Sequence, residues 1–432
     1  MIHNLAQELN NILADSTIGV MLSDLGSRMY FPKGIIAQSV EAKNHGKKAN
    51  ATIGVTLKNG TPLILPAIQE QAPGLTAQEL VAYSPTAGNL TLRELWKEKI
   101  KNKNPALINK NFSLPVVVPG LTAGLSYLSD LFLSAEDVLL TADPSWDNYS
   151  LIVTTRRNAN IQPFNLFANN AFDRTAFKTA MHNEGKKGIV KLLLNFPQNP
   201  SGFSPSINEA KQICQIIKET AENGAQIMVW CDDAYFGLNH EDYIEKQSLF
   251  SYLCDIHKNI VAVKIDGPTK EDFAWGLRCG FLTFGGKGLT HEHYDAIIKK
   301  LMGCIRSSVS CAATPSQTMI LNALNTPAIE EQKNAYKEVL TSRYTCVRAF
   351  LDTKKDDQNL TPLPFNSGYF MSFHTNTINA EKLRQKLLTD YQIGTIAIDE
   401  QTLRVAFSSI DEEQIQTVYA SIYEAASRIA NA

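Results

Sequence analysis

Lys270 stands eight positions ahead of Arg278, and both follow the apolar run 259–266 across the turn Gly267-Pro268-Thr269. A lone lysine is ordinarily a surface group. At the end of a buried strand, with an arginine close behind, it loses solvation and feels like charge. Both effects lower its pKa and free the nucleophilic amine. Three other segments carry chemistry at comparable places. Cys231-Asp232-Asp233-Ala234-Tyr235 closes the apolar run that begins at Ala225. A carboxylate there needs a cation or polar ligand to offset its desolvation, although Asp233 also suits a helix N-cap. Asn195-Phe196-Pro197-Gln198-Asn199-Pro200-Ser201-Gly202 is a stiff turn that presents Asn199, and by itself it reads as a loop. Pro119-Gly120-Leu121-Thr122-Ala123-Gly124 joins a strand-like run to a helix, where small residues leave backbone N–H groups free for an anion.

Strands must carry these turns, and the sequence supplies them. Short runs rich in Val, Ile and Leu fall at 113–118, 137–142, 189–196, 225–232, 259–266 and 279–284, the pattern of strands buried on both faces of a largely parallel sheet. The spacing predicts a helix over 206–223: Ser206 and Glu209 form a capping box, Ile207, Ala210, Cys214, Ile217 and Ala221 share a face, and Gly224 ends it. Strands alternating with helices make an α/β sheet domain, and the four motifs sit at strand carboxyl ends, where such sheets bind ligands. Beyond Pro315 the texture changes to a long helix over about 328–354, strands within 368–375, 394–399 and 402–407, and helices over 380–391 and from Asp411, which suggests a smaller α+β lobe. Asn59-Gly60 marks a hairpin tip in the N-terminal stretch.

Composition bounds the rest. A chain of 432 residues, 44% hydrophobic and 19% charged, buries a sizeable core and is large enough for two lobes. With 41 Lys and Arg against 43 Asp and Glu, and no block of like charge, there is no electrostatic footprint for nucleic acid or an anionic membrane. Seven dispersed cysteines without a C-x-x-C pair read as a protein of the reducing cytoplasm. The first 17 residues read as an amphipathic helix rather than a secretory signal, and no run of 18 apolar residues offers a membrane span.

Taken together, the four segments resemble the class I/II aminotransferases of the fold-type I (aspartate aminotransferase-like) superfamily, which use pyridoxal 5′-phosphate (PLP); the resemblance covers about 53–407. It implies an α/β fold: a large PLP-binding domain at 76–320 with a mostly parallel seven-stranded sheet flanked by helices, and a smaller α+β domain at 321–432, to which 1–75 contributes. It implies an enzyme that moves an α-amino group between an amino acid and a 2-oxo acid, as a homodimer with shared active sites. On the same resemblance Lys270 is the Schiff-base lysine and Arg278 the phosphate clamp, with Leu121, Thr122 and Ala123 in the phosphate turn and Thr269 the nearest further hydroxyl. Trp146 of Asp143-Pro144-Ser145-Trp146 stacks on the pyridine ring, Asp232 binds its nitrogen and Tyr235 its oxygen. Asn199 of Asn199-Pro200-Ser201-Gly202 lies near that oxygen and the substrate carboxylate. Gly54 lies against the substrate, Arg404 of Thr402-Leu403-Arg404 grips its α-carboxylate, and Tyr83 reaches the cofactor phosphate of the neighbouring subunit. The chain departs from the family at Gly267, where a serine is frequent.

A lyase or decarboxylase of the same fold is the alternative reaction, and a non-catalytic PLP or amino-acid sensor the alternative class; no basic helix-turn-helix extension supports the latter. His291-x-His293 lacks neighbouring ligands for a metal. Gly285-Gly286-Lys287-Gly288 fails the phosphate-loop pattern, and no G-x-G-x-x-G follows a strand, which argues against a nicotinamide dehydrogenase. Trp275, Tyr149 and Phe236 adjoin motif residues and are candidates for shaping a pocket.

Overall fold

The structure is a computed structural model that describes residues 2–13, 28, 35–52, 54–70 and 74–431. The expected N-terminal helix spans Asn4–Leu13. Parts of the segment 1–75, including Ile53, where the resemblance begins, lie outside the described residues.

Seven strands form the principal sheet: β1 (Val116–Val118), β2 (Val138–Asp143), β3 (Asn160–Asn165), β4 (Ile189–Asn195), β5 (Gln226–Asp232), β6 (Ile260–Asp266) and β7 (Gly280–Gly286). Their order is β1-β7-β6-β5-β4-β2-β3. Only β7 is antiparallel to its neighbours; β6, β5, β4, β2 and β3 pair in parallel. The apolar runs become these strands because both faces of the sheet are covered: β7 is buried at every position and β6 at all but one. β3 is the strand that hydrophobic periodicity passes over. Its sequence, Asn-Ile-Gln-Pro-Phe-Asn, is mostly exposed and contains Pro163, which an edge strand tolerates.

The capping box at Ser206 and Glu209 forms as the spacing predicts, opening the helix Ile207–Glu222. The hairpin at Asn59-Gly60 pairs Leu57 with Pro62. A second sheet, β8 (Leu360–Pro362), β9 (Phe370–Thr375), β10 (Ile396–Ala397) and β11 (Thr402–Ala406), has the order β8-β9-β11-β10. Its inner face packs on the helices Ile329–Asp352, Ala380–Asp390 and Glu412–Ala430 around a core of its own. Of the N-terminal stretch, Ala49 and Ala51 join this second core, whereas Leu65, Ala67 and Ile68 join the core of the principal sheet.

The topology gathers the motifs at one edge. The carboxyl ends of β4, β5 and β6 carry Asn195, Asp232 and Asp266, with Asn195 in register with Asp232. Because β7 runs the other way, its beginning, and Arg278 just before it, lies at that same edge. There it meets the Gly120 turn that follows β1, since Gly280 pairs with Val118.

Candidate active site

A cavity of about 260 Å³ opens at this edge, lined by Gly54, Val55, Leu121, Thr122, Leu125, Trp146, Tyr149, Asn195, Asn199, Asp232, Ala234, Tyr235, Thr269, Lys270, Trp275 and Arg278. Lys270 sits on the one-turn helix Pro268–Glu271 after β6, its Nζ 4.9 Å from the centre of the Tyr235 ring. The Tyr369 hydroxyl donates to the Lys270 carbonyl at 2.9 Å and fixes the turn. Burial pushes the Lys270 ammonium down from 10.5 to about 8, against the attraction of Asp232 and with help from the Arg278 charge.

Asp232, 3% exposed, accepts hydrogen bonds from the Tyr149 hydroxyl at 2.6 Å and from the Ala234 amide at 3.2 Å. Burial pushes its carboxyl above the ordinary value, while the Tyr149 bond and Lys270 favour the carboxylate. Tyr149 stands against Trp146, ring centres 5.4 Å apart and nearly perpendicular, so the two aromatic side chains are placed together. Asn195 holds two parts of the site in register: its amide donates to the Asp232 carbonyl at 2.7 Å, and its Oδ1 accepts from the Asn199 amide at 2.8 Å.

At the other end, Arg278 takes a left-handed backbone conformation and donates to the Trp275 carbonyl at 2.9 Å. Its guanidinium lies so close over Gly120, whose φ is +88°, that any Cβ there would collide with it. Thr122 is exposed in the first turn of the helix Leu121–Phe132, and the Thr269 hydroxyl is buried without a partner. A guanidinium, a helix N-terminus and two hydroxyls thus converge where an anion is favoured.

Arg404, on β11, is buried beneath Asn199. Its Nη1 donates to Asn199 Oδ1 at 2.9 Å and its Nη2 to the Thr52 carbonyl at 3.1 Å, while the guanidinium lies 4.3 Å from the Phe370 ring centre. Nε has no partner. Burial lowers its pKa from 12.5 to about 10, with Tyr235 and Asp147 opposing, so the cation persists at neutral pH.

The structure therefore brings together Gly54, Leu121, Thr122, Trp146, Asn199, Asp232, Tyr235, Thr269, Lys270 and Arg278, with Arg404 behind them. Ala123 packs against the core from the helix instead of lining the cavity, and Tyr83 is 91% exposed, away from this chain's own cavity. Tyr149 and Trp275 line it, whereas Phe236 faces Lys264, whose Nζ is 4.1 Å from its ring centre. Sequence reasoning gave Asn195 no role, although it ends a buried strand one residue before the proline turn. His291 pairs with Asp295 at 3.2 Å, and His293 bonds Thr290 at the start of the helix His291–Ser308. Among the described residues no cluster of three or more His, Cys, Asp or Glu could hold a metal.

Comparison with known proteins adds the decisive observation: a sequence model described as aminotransferase class I and II matches residues 48–422. The chain belongs to that family. An L-tyrosine:2-oxoglutarate aminotransferase of Aspergillus ustus is 22% identical over 312 residues, 67% of this chain and 57% of that protein, so the chain spans little more than half of that relative. An aminotransferase from Anaerococcus prevotii superposes with a TM-score of 0.81 at 22% identity, covering 93% of this chain and 97% of that one. A kynurenine aminotransferase from Pyrococcus horikoshii, solved with PMP, superposes with a TM-score of 0.78 at 14% identity over 96% of this chain and 99% of that one. These likenesses establish fold-type I.

The cofactor of this aminotransferase-family chain is PLP, and the donor set fits it. The unpartnered Thr269 hydroxyl and the Arg278 guanidinium over Gly120 match a phosphate. Asp232 matches a cationic ring nitrogen, the Lys270 amine an aldehyde, and the Trp146 indole a ring face.

Proposed function

We propose that this chain is a PLP-dependent aminotransferase that moves an α-amino group between an amino acid and a 2-oxo acid. The observation that carries the reading is one cavity holding a buried carboxylate, Asp232, a lysine of lowered pKa, Lys270, and Asn199, which is bonded from behind by Arg404.

In this reading Arg278, Thr122, Thr269 and the backbone at Leu121 hold the cofactor phosphate, and Asp232, Tyr235, Asn199 and Trp146 hold its ring. The chemistry supplied by bound PLP is an aldehyde that captures amines and a protonated ring that takes up electron density from Cα. Lys270 does the proton work. Lowered by burial from 10.5 to about 8, it keeps more of its neutral form near neutral pH than a free lysine does, so Nζ is available as a base for the Cα proton and, once protonated, as the acid that returns it. Asp232 keeps its charge where the cation needs it, through the Tyr149 hydrogen bond. Arg404 orients the substrate: its unpartnered Nε and its exchangeable bond to Asn199 leave a planar fork for a carboxylate. Gly54 leaves room for the substrate beside it.

We extend the proposal to the assembly. Tyr83 is 91% exposed and Val81 and Leu80 beside it are 77% and 51% exposed, an apolar face suited to a second copy of this chain, with Tyr83 entering the partner's site. Residues 76–320 form the PLP-binding lobe in this reading, and 321–432 with the N-terminal stretch form the second. Seven free cysteines favour the cytoplasm. Among the described residues no helix is long and apolar enough to cross a membrane.

A single-turnover screen of amino acids against the PLP-loaded protein tests the reading. Conversion of the cofactor to its pyridoxamine form by an amino acid alone is the expected result, and Lys270→Ala abolishes it. Release of carbon dioxide or of a β-substituent, with no pyridoxamine form, refutes it.

A further inference from the structure

Tyr369 is fully buried just before β9, and its phenol leaves the second sheet to donate to the Lys270 carbonyl at 2.9 Å. The loop that presents Lys270 does not support itself. Phe273 and Arg278 both hold left-handed backbone conformations, with φ of +54° and +49°, which ordinary residues keep only where their surroundings compel them. Within the loop the Lys270 carbonyl accepts from the Phe273 amide at 3.3 Å, a longer bond than the one from Tyr369. Further along, Glu271 and Asp272 are buried among lysines of two helices: Lys99 and Lys333 each reach Asp272 at 2.8 Å, and Lys103 pairs with Glu271. Those pairs hold the turn beyond Lys270. Among the described residues, Tyr369 supplies the hydrogen bond that reaches Lys270 itself from outside its loop.

Tyr369 belongs to the strand pair that carries Arg404. Phe370, the next residue, pairs with Ala406, and Ser372 pairs with Arg404. The Phe370 ring centre lies 4.3 Å from the Arg404 guanidinium, and a Cβ on Gly54 would come within 3.0 Å of the same ring. Both rings also meet Tyr235, Tyr369 at 5.6 Å and Phe370 at 5.5 Å between ring centres. The segment is fastened to the principal sheet's loops: the Asn366 side chain exchanges two hydrogen bonds with the Ser204 backbone, and the Ser372 hydroxyl donates to the Pro200 carbonyl at 2.8 Å.

We propose that Tyr369 is a positioning residue for Lys270: its hydroxyl references the lysine backbone to the sheet that holds Arg404, and so sets the distance between the amine and the Cα of a substrate whose carboxylate Arg404 holds. A lysine amine swings on a flexible four-carbon stem, so its reach depends on where its backbone stands. Proton transfer requires that reach to fall within hydrogen-bond distance, and a misplacement of about 1 Å in such a constellation costs up to about 100-fold in rate. Tyr369 does not line the cavity, so it acts through Lys270 rather than on substrate or cofactor.

The proposal rests on the roles proposed above for Lys270 and Arg404, and the test separates the two. The measurement is the rate at which a saturating amino acid, with hydrogen or deuterium at Cα, converts the PLP-loaded protein to its pyridoxamine form, followed by absorbance. Tyr369→Phe keeps the ring against Tyr235 and leaves the Lys270 carbonyl its bond from the Phe273 amide, so the fold is kept. The expected result is a rate lower by roughly three- to tenfold, the worth of one hydrogen bond, with PLP affinity and the half-saturating amino acid concentration unchanged. The deuterium effect is expected to be at least as large as in the wild type, because proton transfer is the step that slows. An unchanged rate, a smaller deuterium effect, or a proportionate loss of PLP or amino-acid affinity overturns the proposal. The Lys270→Ala background, with methylamine supplied as the base, gives a second arm. There Tyr369→Phe is expected to change nothing, since the group it positions is gone; a further fall of the same size would place its action elsewhere and also overturns the proposal. A Lys270→Ala protein that converts as fast as the wild type without methylamine would instead refute the reading of Lys270, whatever Tyr369→Phe does.

Discussion

Arg404 Nη1 donates to Asn199 Oδ1 at 2.9 Å, joining a strand of the second sheet to the proline turn that follows β4 of the first. This bond ties the cation we assign to the substrate carboxylate to the loop held by Asn195, so in that reading a carboxylate bound at Arg404 would be felt at both sheets. Replacing Arg404 by Lys keeps the charge and loses the planar fork. The expected result is a rise in KM for the amino acid of roughly 10- to 100-fold, the weight of one charge-assisted bond. PLP affinity stays unchanged, as equilibrium dialysis would show.

Tyr149 is the second lever. Its hydroxyl holds Asp232 toward the carboxylate against burial. In Tyr149→Phe the Asp232 pKa rises further, so protonation begins at higher pH. The acid limb of the rate profile is therefore expected to move upward, while the basic limb, which we assign to Lys270, stays in place. A profile displaced as a whole, or not at all, contradicts this assignment.

His240 makes stability depend on acid. It is stacked 4.9 Å from the Tyr344 ring and bonded to the Gly368 carbonyl at 2.9 Å, and burial lowers its pKa from 6.5 to about 4. Between those values the unfolded chain binds a proton that the folded chain refuses, so stability falls as pH drops from about 6.5 to 4. Thermal melts of His240→Gln should lose less Tm across that window than the wild type loses.

The exposed face around Tyr83 predicts an assembly phenotype. Val81→Asp puts a charge into a face we assign to a second copy, and sedimentation should show it as a monomer that binds PLP weakly. Tyr83→Phe should remain a dimer and lose roughly three- to tenfold in PLP affinity, the worth of one hydrogen bond. A Val81→Asp protein that sediments like the wild type would remove the assignment.

Much of the site was legible because its residues cluster in short loops after strongly apolar strands. Asp232 and Lys270 each lie at or just past a buried run, and the eight-residue spacing to Arg278 is a local property of one loop. The helix at Ser206 was legible for the same reason, since a capping box is complete within four residues.

What the chain alone determined, then, is where six of the seven principal strands and several helices fall and which turns are candidates for chemistry, because burial period, caps and turn residues act over short distances. The tertiary structure decided the rest. It packed Ala123 against the core, set β3 on the edge despite its polar sequence, and gave Asn195 two hydrogen bonds, one donated to the Asp232 carbonyl and one accepted from the Asn199 amide. It also buried Lys333 against Asp272, 61 positions away. In sequence such a lysine is indistinguishable from a solvated one. Only packing removes its water and makes its pairing obligatory, and packing depends on a strand order that no local pattern encodes.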